Sequence, residues 1–436
     1  MPEYKKKRVN RLRGAPKPKK TARVQREEPD DIIMSPSGGK RTKKPPKPPK
    51  TVPDMRVVKG KKLERQRKAK VLLSISAAVT VICLVLHLIL PVGILENIQN
   101  LTALIGSGGY PLELNSTETL NSVSRGMYYY LLTDTRINAY SNSGREIYSY
   151  SHGFENPVMK TSKTRALVFS QGHNQAFIYN LASLKSTVNT ESPIITANIS
   201  DSGTYAIVTR SDSYASVVSV YDKYDKPIYE WYSAEDAVNN IAISPNGKKI
   251  AVSLFNASSG VYTSKVCVFG FDSASPEYTE TCGDAPVYNL DATHNAGFSV
   301  ILKNGVRFIN WSNYKKTDYE NPYAAAMFRA GSGGSVAVFN RASDRTDNRV
   351  AVFNSKGKLK SEFEFKGIIG DIEISGGHIY CIGDTSVLLL SEDGAVLRKA
   401  ECGFGAKRLS VIGSNQVAVI TDNQIYQIKL EQEEEK

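Results

Sequence analysis

Residue types that carry chemistry are scarce in this chain. It has five cysteines, five histidines and two tryptophans among 436 residues. No pair among His87, His152, His173, His294 and His378 stands at a metal-ligand spacing. A nucleophile elbow, a phosphate-binding glycine loop and an acidic calcium-binding ladder are all missing. Gly331-Ser332-Gly333-Gly334-Ser335 is glycine-rich but precedes a strand pattern, so it reads as a turn. These absences speak against an enzyme and leave no cofactor to be expected. Two further absences are local: the first 70 residues contain a single aromatic, Tyr4, and Val71–Leu95 contains no Asp, Glu, Lys or Arg.

The formal charge of +13 belongs to one end of the chain. Residues 1–70 hold 25 Lys/Arg against 7 Asp/Glu, whereas residues 71–436 hold 31 against 36. Ten of the 19 prolines also lie in the first 70 residues, and 38 of the 39 aromatics lie after them. This split excludes a basic globular nucleic-acid domain, a coiled coil and a wholly disordered protein. Without aromatic interleaving or a recognition motif, nucleic acid is not an expected partner. Residues 1–55 cannot bury enough apolar surface to offset the entropy of ordering and read as a disordered, Pro-rich basic tail.

The 25 uncharged residues 71–95 exceed the ~20 needed to cross a bilayer core. The run is too long, and its basic leader too extended, for a cleaved signal, so a transmembrane signal anchor is expected. Pro91 is expected to kink or end that helix. Arg56, Lys59, Lys61, Lys62, Arg65, Arg67, Lys68 and Lys70 form a polybasic juxtamembrane segment over 56–70, while Glu96 opens the other flank. The positive-inside rule places the tail in the cytoplasm and the C-terminal region outside the cell. The eight basic residues are candidates for contact with anionic lipid. A linker follows over 96–109, with Gly106-Ser107-Gly108-Gly109 as its hinge.

Residues 110–430 read as short strands throughout, and an internal repeat recurs in them. A Ser/Gly/Asn/Asp turn precedes a short apolar run, as in Ser200-Asp201-Ser202-Gly203 before Ala206-Ile207-Val208 and Ser244-Pro245-Asn246-Gly247 before Ile250-Ala251-Val252. Markers at Tyr129, Val168, Ala206, Ala251, Ser299, Ala337, Tyr380 and Ala418 are spaced by about 41 residues on average, the period of a four-stranded propeller blade. The small central residue suits an inner strand covered on both faces. Eight markers predict an all-β, eight-bladed β-propeller; seven blades are the alternative if Ser299 is spurious. The last repeat, about 406–430, lacks one strand, which Tyr110–Asn115 can supply to close the ring. Residues 431–436 read as an acidic solvated tail.

The stretch Ser244-Pro245-Asn246-Gly247-Lys248-Lys249-Ile250-Ala251-Val252 resembles the repeat of TolB-type and WD40-like propellers. Tyr221–Trp231 is similar to the quinoprotein (PQQ-type) repeat. The whole layout resembles a family of membrane-anchored propeller-like proteins of Gram-positive bacteria. The resemblance implies the fold; it does not imply quinone chemistry, because the adjacent cysteines and stacking tryptophans of quinoprotein dehydrogenases are missing.

Four cysteines fall beyond the expected span. Cys267 and Cys282 are symmetric about Ser273-Ala274-Ser275-Pro276, so a hairpin would set them opposite each other as a structural disulfide. Burial of both as small hydrophobes is the alternative. Cys381 and Cys402 lie on strands separated by a third and are not expected to pair. The function expected is a binding scaffold for a protein or envelope component on one propeller face. An enzyme using the central channel and a transmembrane sensor signalling to the tail are the alternatives. Tyr128, Tyr129, Tyr130, Tyr148 and Tyr150 could form a docking patch, although packing between blades is the preferred reading. Nothing in the sequence points to self-association.

Overall fold

The computed structural model describes residues 55–89, 92–116, 118–258, 260–292, 294–341 and 343–432. The expected disordered tail falls outside them except for Met55, as do Pro91 and the acidic end from residue 433. A first helix, α1, covers Met55–Ile89, and a second, α2, covers Ile94–Ala103. The span expected as one helix over 71–95 is therefore interrupted: Val92 and Gly93 are not helical, and Gly93 caps α2. Among the described residues no helix is long and apolar enough to cross a membrane.

Eight antiparallel four-stranded sheets follow, seven of them formed by consecutive strands. They constitute blades 1 to 8 of a propeller, at residues 119–151, 157–189, 194–233, 237–283, 287–320, 324–366, 371–401 and 408–429. Blade 8 takes its outer strand from the opposite end of the domain: Leu112 pairs with Ile425 and Glu113 with Gln424. Thr119 N donates to Asp422 Oδ1 at 2.9 Å, and Arg408 Nη2 donates to Leu120 O at 2.8 Å, further tying blade 8 to blade 1. The closure expected from the short last repeat is met, and closing the ring removes the edge strands an open array would expose.

All eight repeat markers lie on the second strand of a blade, Ser299 included. These strands are apolar on both faces because each blade is covered by its neighbours; Tyr128–Thr133 and Arg165–Ser170 are buried throughout. The inner position assigned from sequence is off by one strand. The strand facing the axis is the first of each blade, and it is more polar because it lines a channel. The hairpin glycines take the backbone their turns need, with φ of +73° at Gly357 and +89° at Gly394. Four of the five candidate docking tyrosines, Tyr128, Tyr129, Tyr130 and Tyr148, are buried between strands, as the packing reading had it.

The Cys267–Cys282 disulfide is corrected. Val268 pairs with Tyr278, which sets Cys267 against Thr279, while Cys282 lies at a register shift between Lys265/Thr281 and Ser264/Gly283. The longer connection 271–277 slides the two strands away from the symmetry the sequence suggested. Both thiols are free, as are Cys381 and Cys402. Burial pushes the Cys381 thiol up to about 12. Reductant is accordingly expected to leave the melting temperature unchanged, and alkylation after unfolding should label all four positions; a Cys267–Cys282 peptide in non-reducing mass spectrometry would overturn this.

Candidate functional site: the propeller channel and the helix clamp

The first strands of the eight blades surround a central cavity of about 1330 Å³. Alternation along each strand decides which side chains reach it. In Asp371–Ser375, Ile372 and Ile374 pack into the core between blades while Glu373 borders the cavity. Glu373 accepts from Ser124 Oγ of blade 1 at 3.0 Å and from Val411 N of blade 8 at 3.2 Å. The side chain is half-buried along the channel. That burial pushes its pKa up to about 7; the two hydrogen bonds and Arg125 oppose the rise, and Asp371 adds to it.

Asp371 is buried and accepts from Arg329 Nη2 of blade 6 at 3.2 Å and from Leu409 N of blade 8 at 3.1 Å. Arg125 of blade 1 donates to Ser162 O and Thr161 O of blade 2, at 3.0 and 3.1 Å. Most channel charges thus fasten one blade to the next. Lys160 differs: it lines the cavity, burial lowers its pKa, and the Asp291 carboxylate opposes that fall. An amine whose pKa burial lowers and a carboxyl whose pKa burial raises, in one polar cavity, could bind a small polar ligand. Among the described residues no group of three or more His, Cys, Asp or Glu is placed to hold a metal ion.

A second constellation lies at the rim. Arg165, fully buried, opens the second strand of blade 2 and donates from Nε and Nη2 to the two carboxylate oxygens of Glu96 on α2, both at 2.6 Å. Its remaining donors reach Gly203 O at 3.4 Å and Lys223 O at 3.0 Å in blade 3. Asn100 Oδ1 accepts from Leu181 N at 2.9 Å, Arg145 Nη2 donates to Ala103 O, and Ala103 and Leu104 pack on the core between blades 1 and 2. The segment expected to be a flexible linker is therefore a docked helix. Its Gly106–Gly109 hinge also lies against blade 1, where a Cβ on Gly108 would sit 2.2 Å from Arg145 N.

The profile of DUF5711, a family of unknown function, matches residues 112–430. The chain belongs to this family. That match spans the eight blades together with the strand that closes them, so the family is defined on the propeller itself. No curated protein matches the sequence. Among solved structures, the C-terminal WD40 domain of Sif2 is similar with a TM-score of 0.53 and 11% identity, over 75% of this chain and 100% of that one. BamB from Moraxella catarrhalis gives a TM-score of 0.48 at 11% identity, over 74% and 100%. The similarity to the WD40 domain concerns the propeller fold.

Of the residues singled out for lipid contact, Lys62, Arg65, Arg67, Lys68 and Lys70 are exposed on α1, with Lys68 paired to Glu64 at 2.8 Å. The side chains of Arg56, Lys59 and Lys61 lie outside the described residues. Glu373, Asp371, Lys160 and the Glu96–Arg165 pair were not singled out from sequence. A signal existed for the first three, since charged residues alternate with apolar ones in Asp371-Ile372-Glu373-Ile374 and flank Met159 at Lys160. The partners come from other blades and leave no local mark.

Proposed function

We propose that the protein is a membrane-anchored scaffold whose propeller stands outside the cell and binds a protein partner on the face opposite α2. The observation that carries this reading is the apolar surface of that face. Phe404 is 89% exposed on the loop joining blades 7 and 8, Ile368 is exposed between blades 6 and 7, and Tyr214 and Tyr232 pair their rings at 4.9 Å on blade 3. Aromatic anchors on a rigid disc are what protein interfaces use at their centres. Support for the anchor comes from the uncharged run beginning at Val71, which continues in sequence beyond the described side chains, and from the exposure of Leu72, Leu73, Ile75, Val79 and Ile82 around α1.

A photo-crosslinking residue placed at 404 or 214 of the full-length chain in intact cells should form one discrete protein adduct, absent when it stands at Met127 on the other face. No adduct from either position would overturn the scaffold reading. Protease added to protoplasts should digest residues 96–436 and spare the tail; a protected propeller would reverse the proposed orientation.

A second reading, a small-ligand receptor or enzyme working in the channel, is favoured by Lys160, which lines the cavity and whose pKa burial lowers against the pull of the Asp291 carboxylate. Under it, a small anion should raise the melting temperature of the parent protein and leave that of Lys160→Met unmoved.

A further inference from the structure

Helix α2 is two-sided in an unusual sense: its polar side faces the protein. Glu96 and Asn100 hold it to blade 2, while Leu95, Ile98 and Leu101 stand 77, 53 and 63% exposed along one stripe on the opposite side, and Ile105, just past the helix end, is 73% exposed. A soluble domain normally turns such a stripe inward. We propose that this stripe lies in the headgroup layer of a lipid bilayer and seats the propeller on the membrane with its α2-bearing face downward. The proposal rests on the anchor reading above.

Three observations carry it. The first is continuity. Ile94 follows Ile89 by five residues, so it lies within about 17 Å of the end of α1 however the intervening chain runs. A helix tethered that closely to a spanning segment begins at the membrane surface, where amphipathic helices bury their apolar face. The second is rigidity. The Glu96–Arg165 pair, the Asn100–Leu181 bond and the packing of Ala103 and Leu104 fix the helix to the disc, so whatever plane α2 occupies sets the tilt of the propeller.

The third is charge. Turns between first and second strands, and between third and fourth, all lie on the face carrying α2, because strands alternate in direction. Those turns hold nine Lys/Arg and seven Asp/Glu, against five and eleven on the opposite face. Anionic headgroups repel the opposite face and tolerate this one. Met127, 62% exposed in the first turn of blade 1, adds an apolar contact on the same side. The channel mouth bounded by these turns would then open towards the lipid, leaving Phe404 and the Tyr214–Tyr232 pair towards the outside.

The test uses the full-length chain in phosphatidylcholine–phosphatidylglycerol vesicles whose acyl chains are brominated near the headgroup, with the parent protein giving the background of Trp231 and Trp311. Ile98→Trp reads the stripe, Val79→Trp the anchor and Phe404→Trp the far face. Tryptophan emission at 98 should shift to the blue and lose most of its intensity, as at 79, while that at 404 is unaffected. Quenching at 79 without quenching at 98 overturns the interfacial helix and keeps the anchor. Quenching at 98 without 79 supports the interfacial seat and removes the span. Quenching at 404 reverses the face and overturns the proposal.

Discussion

Glu96→Ala is expected to lower the stability of the propeller by about 3–5 kcal/mol, the loss seen when a buried ion pair keeps only one partner. Arg165 would remain fully buried with its charge, facing the carbonyls of Gly203 and Lys223 but no carboxylate. For a domain of this size that corresponds to a fall in melting temperature of roughly 4–7 °C. Arg165→Ala should cost a comparable amount, because it also withdraws the donors that tie blade 2 to blade 3. Replacing both, as Glu96→Leu with Arg165→Met, should recover much of the loss, since an apolar pair leaves no unpaired charge. Thermal unfolding of the three variants is the measurement. Equal losses in the single and double variants would mean that packing, not charge, holds α2 in place.

Glu373→Gln is expected to stabilise the protein at alkaline pH and not at acid pH. The folded carboxyl titrates at about 7, above its ordinary value of 4.5. Between those values the folded state binds the proton that the unfolded state has released, so stability falls as pH rises through that window. Above pH 7 the full penalty, about 3 kcal/mol, is present; below pH 4.5 it vanishes. Glutamine cannot ionise, and its amide oxygen can still accept from Ser124 and Val411. Denaturant unfolding of parent and variant at pH 4 and pH 8 isolates this group, because every other titration cancels in the difference. A gap of the same size at both pH values would show that Glu373 does not titrate in the channel. If it does, the inner seam joining blades 7, 8 and 1 is tighter below neutral pH than above it.

The propeller was legible because its evidence is local and repeated. A small central residue in an apolar run, and a glycine-bearing turn on the following hairpin, recur in blade after blade, and the resulting period of about 41 residues admits few other folds. Even the strand exchange at the ring closure could be read, because the last repeat is one strand short. Two errors have a common origin. The Cys267–Cys282 register depended on the conformation of 271–277, where a loop of seven residues leaves the slide between strands to packing. The inner strand was misassigned because burial on both faces marks coverage by neighbouring blades, not nearness to the axis.

The sequence alone determined the division of charge between tail and domain, the uncharged run, the repeat, the blade number and the means of closure, since each is set by residues close together in the chain. Only the tertiary structure decided what those elements meet. Glu96 finds Arg165 across 69 residues, and Glu373 finds Ser124 across 249. Burial at such meetings replaces water with protein, raising one carboxyl towards neutrality and locking another to an arginine. A segment that reads as a linker becomes a fixed helix for the same reason: its partners belong to strands that fold beside it, and no pattern within 96–109 names them.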